Sequence, residues 1–101
     1  MKSVYLIRGN DGKYKIGIAK DPKKRVFQLQ TGNADKLKLI AEYKSENASR
    51  IESALHYQYS YVRNIGEWFD LSIAEEANFI KSCQKLEEGI ITLKQTENSF
   101  I

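Results

Sequence analysis

Four side chains of different chemistry are spread along the first 52 residues of this 101-residue chain: the phenol of Tyr5, the amine of Lys15, the guanidinium of Arg25 and the carboxylate of Glu52. Phosphodiester hydrolysis asks for such a set. It needs a base for the attacking water, cations for charge on the phosphoryl oxygens, and a carboxylate to hold a divalent ion. His56 follows Glu52 by four residues, so a helix there projects both from one face. That pair fits either a shared divalent metal or a plain surface contact. Taken singly, each residue has a commoner role: Tyr5 a half-buried strand phenol, Lys15 and Arg25 solvated cations. Their weight depends on the elements that position them.

Residues 3–8 predict a strand, Gly9-Asn10-Asp11-Gly12 a turn, and 13–18 the return strand of a hairpin. Opposed residues share a face, so Tyr5 joins Lys15 if paired positions sum to an even number, as an odd-length loop or one bulge gives. An even loop brings Tyr14 there instead. Lys15 is preferred, with Tyr14 as the backup. Gly17 is informative because glycine weakens a strand interior unless something approaches it closely.

Asp21 as cap and Pro22 at the first helical position open a helix that runs to about Thr31, with Gly32 as a left-handed terminator. Val26 and Leu29 face inward. Residues 37–43 suit a third strand, and a second helix is expected over about 47–61, with Ile51, Ala54, Leu55 and Gln58 or Tyr59 at helical spacing. Residues 64–66 break it. Then comes a short extended piece in which Trp68 and Phe69 cover the sheet edge and Glu67 is solvated. Ser72 and Glu75 match a capping box, opening a helix to about Glu88 that Gly89 ends. The remaining tail is too apolar to be free at Ile90, Ile91 and Leu93, with fraying at the last residues. The expected fold is α/β (α+β): a three-stranded antiparallel sheet flanked by helices. One domain spans 1–101, with a core of about 3–72, a C-terminal helix of about 73–88 and a tail of 89–101.

Composition narrows the class. The chain is 42% apolar and 29% charged, as in ordinary globular proteins. No apolar run nears the roughly 20 residues of a membrane span, and no signal-peptide h-region opens the chain. The single Cys83 permits no internal disulfide, and one cysteine with one histidine argues against structural zinc. A cytoplasmic, intracellular location is expected. The net charge of +3 hides an asymmetry: residues 1–38 carry +7 and residues 39–101 carry −4. The basic part suits a phosphate-bearing partner.

In order, Ser3-Val4-Tyr5, Tyr14-Lys15-Ile16-Gly17, Asp21-Pro22-Lys23-Lys24-Arg25, Gln30-Thr31-Gly32-Asn33, Glu52-x-x-Leu55-His56 and Gly66-Glu67-Trp68-Phe69 make the chain resemble the GIY-YIG endonuclease superfamily. The likeness is to its small stand-alone branch with a Tyr-Lys-Ile-Gly second motif and covers about residues 3–72. It implies a metal-dependent DNA endonuclease. Tyr5 would deprotonate the attacking water, Lys15 would favour its phenolate or contact the phosphate, and Arg25 would neutralise the phosphoryl oxygens. Glu52 would hold one Mg²⁺ or Mn²⁺, and His56 would orient Glu52 or meet the leaving group. Lys13, Lys20, Lys23, Lys24 and Arg25 are the candidate DNA contacts, in a monomer or dimer with weak sequence preference. The chain departs from the family pattern at Ser3, Val4 and Lys15, and Asn64 is the candidate for an asparagine typical of many members. Two readings compete with the nuclease: an inactive DNA-binding module, and a protein-interaction domain exposing Phe69, Phe79 and Ile80.

Overall fold

The computed structural model describes residues 1–98. Strand β1 (Lys2–Gly9) pairs antiparallel with β2 (Tyr14–Ala19) on one side and with β3 (Leu37–Ser45) on the other. A two-residue strand, β4 (Trp68–Phe69), adds to β2, giving a four-stranded antiparallel sheet in the order β3-β1-β2-β4. The expected third strand is present and the fourth is an addition. Two residues are too few to show alternation, so the segment read only as extended. Helix α1 (Pro22–Thr31) covers one face, while α2 (Ala48–Gln58) and α4 (Phe79–Asn98) cover the other.

The alternation of β1 builds these two layers. Val4 and Leu6, with Tyr14 and Ile16 of β2, pack against Ile51 and Leu55 of α2 and Phe79 and Cys83 of α4. Tyr5 and Ile7 point the other way, onto Leu37, Trp68 and the inward Val26 and Leu29 of α1. A central strand buried on both faces has to be apolar throughout, which accounts for the run Val4-Tyr5-Leu6-Ile7. Phe69 and Phe79 are fully buried, so the patch needed by the protein-interaction reading does not exist.

Local signals held at most helix starts. The Asp21 carboxylate accepts from the Lys24 amide, and Ser72 and Glu75 form both halves of the capping box. Three helix ends differ from expectation. Gly32 sits at φ −98°, in right-handed space, because its amide turns back to the Gln30 carbonyl without a left-handed step. The second helix stops at Gln58, and a 3₁₀ turn over Ser60–Val62 replaces its last turn. The third helix is split: α3 (Ile73–Ala77) is capped at Asn78, whose side-chain and backbone N–H groups both donate to the Ala74 carbonyl. Helix α4 then runs straight through Gly89, because Cys83, Leu86 and Ile90 continue one inward stripe. That packing outweighs the ~1 kcal/mol that an interior glycine costs. Residues 99–101 of the expected tail lie outside the described part.

The long helix is fastened to the sheet by one carboxylate. Glu87 accepts from the Tyr43 hydroxyl at 2.6 Å, from the Ser45 hydroxyl and from the Asn47 amide at 3.4 Å. The Ser45 and Tyr43 hydroxyls hold the Glu87 carboxyl below its ordinary 4.5, and in return the Tyr43 phenol is pushed up to about 12. A depressed carboxyl contributes stability that is present above its unfolded pKa and lost as pH falls through the folded value. Urea denaturation at a series of pH values should therefore show stability falling below about pH 4.5. Glu87→Gln should be less stable at neutral pH and should flatten that acid limb; an unchanged limb would show that the latch does not bear on stability.

Candidate active site

The hairpin register pairs Tyr5 with Gly17 and Ile7 with Lys15, so paired positions sum to an even number. The loop between the partners Arg8 and Tyr14 spans residues 9–13, an odd length, with Gly12 at φ +80° taking the strained turn position. Tyr5, Gly17 and Lys15 accordingly share the α1 face. Tyr14 lies on the other face, where its hydroxyl donates to Glu76 at 3.0 Å beside the Arg8–Glu76 pair at 3.1 Å. The backup for Lys15 is thus a structural phenol, pushed above 10.0 chiefly by burial.

Tyr5 is only 2% exposed, and its phenol lies flat across Gly17. A Cβ at position 17 would overlap the Tyr5 hydroxyl and ring, which is the close approach that the strand glycine signalled. Among the described residues the Tyr5 hydroxyl makes no hydrogen bond, yet it is not a fully buried unpaired oxygen. The ring is therefore core and the oxygen reaches solvent.

Lys15 is far from the solvated cation that a strand lysine usually is. Its side chain is 12% exposed, its Nζ lies 2.6 Å from Glu67 Oε2, and the Trp68 ring centroid is 5.8 Å away. Glu67, expected to be solvated, keeps 44% of its side chain exposed but is also tied in twice, since its carbonyl accepts from the Ile16 amide at 3.3 Å. It immediately precedes β4, and the pairing of Lys15 with Trp68 brings the two charges together.

Where β4 ends, α2 takes over the edge of β2. The His56 Nε2 donates to the Ile16 carbonyl at 2.9 Å, with its ring edge-on to Phe69 at 5.0 Å. A carbonyl can only accept, so a neutral imidazole keeps its lone pair on Nδ1. One turn back on the same helix face, Glu52 joins it, and Glu52, His56 and Glu67 bring one ligand atom each to within 4.8 Å of one another. The Glu52 carboxyl is raised above 4.5, mainly by burial and then by Glu67, against the smaller pull of His56, Lys15 and Lys2. Two carboxylates this close, one desolvated, form a site that favours a cation. Sequence reasoning named Glu52 and His56 and missed Glu67. Its signal was its place immediately before β4, beside Lys15, legible only once the Lys15–Trp68 pairing is known.

Arg25 is exposed on α1, on the sheet side that holds Tyr5 and Lys15, and is drawn into no ion pair among the described residues. Lys20, Lys23 and Lys24 are exposed beside it, and α1 contains no acid of its own. Lys13 stands apart at the hairpin turn, 4.0 Å from Asp11. Cys83 is buried and its thiol is pushed up to about 12, so it offers no nucleophile. No helix among the described residues is long and apolar enough to cross a membrane.

Fold and site together define a small α+β domain that gathers a phenol, a paired lysine and a carboxylate–imidazole cluster along one strand, beside a basic helix. The chain belongs to the T5orf172 domain family, whose model matches residues 2–87. This domain is found in a group of nucleases and DNA-binding proteins and is sometimes linked to a GIY-YIG-like fold. No curated protein and no solved structure matches the chain.

Two outcomes check the geometry. Gly17→Ala should lose about 1–3 kcal/mol in urea denaturation, because the added methyl would overlap the buried Tyr5 phenol; wild-type stability would mean that Tyr5 is loosely held. Glu52→Gln should raise the melting temperature of the metal-free protein at neutral pH by removing a desolvated charge that faces Glu67. A drop would show instead that the carboxylate is a structural anchor.

Proposed function

We propose that this chain is a divalent-metal-dependent endonuclease of the GIY-YIG type that hydrolyses DNA phosphodiester bonds. One observation carries the reading: the unbonded Tyr5 hydroxyl, the cation of Lys15 and the Glu52–His56–Glu67 cluster are all mounted on or against β2, so one phosphate can meet them together. Glu52, joined by His56 and Glu67, would hold one Mg²⁺ or Mn²⁺, an oxygen-rich donor set that suits a hard ion keeping part of its water. When bound, the ion supplies Lewis-acid polarisation of the phosphate.

The chain's own groups do the rest. Tyr5 as phenolate takes a proton from water, and its hydroxyl reaches solvent for that purpose. The water oxygen bonds to phosphorus as the bond to the 3′ oxygen breaks, and the departing 3′ oxygen takes a proton from solvent, leaving 5′-phosphate and 3′-hydroxyl ends. Lys15 lies on the same face as Tyr5 and offers its ammonium to the phosphate, while the Arg25 guanidinium offers two donors to the phosphoryl oxygens. Lys20, Lys23 and Lys24 grip the backbone on either side without reading bases.

A nicking assay on supercoiled plasmid tests this. Wild type should nick with Mg²⁺ or Mn²⁺ and stop on chelation, and both Tyr5→Phe and Glu52→Ala should lose at least 100-fold in rate, the scale of a missing general base or metal ligand. Nicking that survives either substitution would overturn the assignment. The Lys15–Glu67 ion pair favours a second reading, a DNA-binding module in which that lysine is already neutralised. Wild-type protein that binds plasmid but never nicks would decide for it. On either reading, replacing Lys23 and Lys24 together by alanine should reduce the slope of log affinity against log salt by about two, measured by fluorescence anisotropy on duplex DNA. An unchanged slope would move the DNA path off α1.

A further inference from the structure

Two motifs of the chain are left over when the chemistry is assigned: Gln30-Thr31-Gly32-Asn33 after α1, and Trp68 behind Glu67. They meet at one cavity. It has a volume of about 490 Å³ and lies between the α1–β3 loop, the hairpin turn and the segment leading into β4. Trp68, Leu37 and Ile65 form its apolar walls, and Asn33, Asp35 and Asn64 bring polar groups to it. Ile65 is 76% exposed and so open to a ligand entering the cavity.

The hydrogen-bond inventory says what such a cavity would take. Gln30 holds the loop in shape: its amide donates to the Asn33 and Asp35 carbonyls at 3.2 Å and 2.9 Å, and its oxygen accepts from the Leu37 amide at 2.8 Å. The Asn33 oxygen is used on the Asp35 amide at 3.0 Å, which leaves the Asn33 side-chain N–H donors unspent. The Asp35 carboxylate has no hydrogen bond or ion pair among the described residues. Asp11, on the opposite wall, is already occupied by the Lys13 amide at 3.0 Å and its Nζ at 4.0 Å. The cavity thus offers the unbonded Asp35 carboxylate, the unspent Asn33 amide hydrogens and the Asn64 amide beside apolar walls, with the Lys13 ammonium of its lining held next to Asp11. An unpaired carboxylate repels phosphate and welcomes a neutral planar group with adjacent N–H donors.

We propose that this cavity binds a single unstacked guanine base of the nucleic acid. Guanine presents two neighbouring N–H donors, N1 and N2, which match the two oxygens of Asp35, and beside them the O6 acceptor, which matches the Asn33 amide. The base lies against Trp68 and Ile65. In a duplex this edge is occupied by cytosine, so the base that enters is unpaired or turned out of the stack. The position is economical: Trp68 lines the cavity and also pairs with Lys15 in the sheet, so a base held there places its neighbouring backbone toward Lys15 and Glu67. Recognition of a base and handling of a phosphate are thus divided between the cavity and the adjoining site. The inference rests on the nucleic-acid reading above and adds a structural preference to it: DNA with an unpaired guanine.

Trp68 is the sole tryptophan, so selectively excited tryptophan fluorescence reports on the wall that this cavity shares with the Lys15 site, and the dG and thymidylate strands are compared to separate the two. The experiment titrates the full chain, in chelating buffer without metal, with three short single strands: oligothymidylate, the same strand with one central dG, and the same strand with one central abasic site. The dG strand should bind on the order of tenfold more tightly than the other two, the usual discrimination of a bidentate base contact, and should quench Trp68 more strongly. Asp35→Asn replaces one acceptor by a donor at an exposed side chain, so it should abolish the dG preference while leaving the melting temperature unchanged and oligothymidylate affinity undiminished. Equal affinity for all three strands, or a dG preference that survives Asp35→Asn, would overturn the proposal. The two readings separate cleanly. A dG preference without plasmid nicking would retain the cavity and reject the nuclease, and nicking without a dG preference would do the reverse.

Discussion

The parity of the β1–β2 register governs the candidate site. Side chains alternate with a period of two, so a slip of one residue would exchange the two faces of β2 completely. Tyr14 would then stand beside Tyr5, and Lys15 would be driven into the apolar layer under α2 and α4. The odd loop over residues 9–13 prevents this, and Gly12 makes the loop possible by accepting φ +80°. Register also decides what lies opposite Tyr5. It is Gly17, the one residue type whose missing Cβ lets a phenol lie across the neighbouring strand. A buried ring with a solvent-reaching oxygen follows from that single pairing.

The shortness of β4 is the second constraint. It covers β2 only at Tyr14 and Lys15, leaving the polar groups of Ile16 to be satisfied by other means. The Glu67 carbonyl takes the amide, and the His56 ring takes the carbonyl. Two of the three cluster residues are thus recruited to protect an open sheet edge, a place where unpaired backbone would otherwise invite another chain. Edge protection fixes the His56 tautomer and brings Glu67 against Lys15. The cluster is therefore as well defined as the sheet itself.

Much of this was legible in the sequence, and the boundary is physical. Asp21-Pro22 and Ser72…Glu75 announced helix starts because caps are local chemistry, satisfied within one turn. Glu52 and His56 were legible as a pair because a helix enforces four-residue neighbours. Gly17 was legible as a close approach, though not what approached. What the sequence did not disclose depended on contacts far along the chain. Gly89 read as a terminator because a local rule cannot see that α4 has a core to pack against on both sides of it. Glu67 read as solvated because its partner stands 52 positions earlier, across a pairing only two residues long. The cavity at Asn33 and Trp68 was likewise invisible, although both motifs that build it were on the page.

The charges show a division of labour between the two ends of the fold. At the α4 end one carboxylate is fully engaged: Glu87 collects two hydroxyls and an amide, and its carboxyl is held down accordingly. At the β2 edge the balance is left incomplete. Glu52 is desolvated and faces a second carboxylate, its carboxyl is pushed up, and Lys15 answers only Glu67 directly. On the proposed nuclease reading, a cation entering there would relieve the repulsion between Glu52 and Glu67 and loosen the claim of Glu67 on Lys15, which would free that lysine for a phosphate. The same unsatisfied electrostatics that weaken the metal-free edge would therefore order the approach of ion and substrate, while the Glu87 latch keeps the sheet that carries them intact.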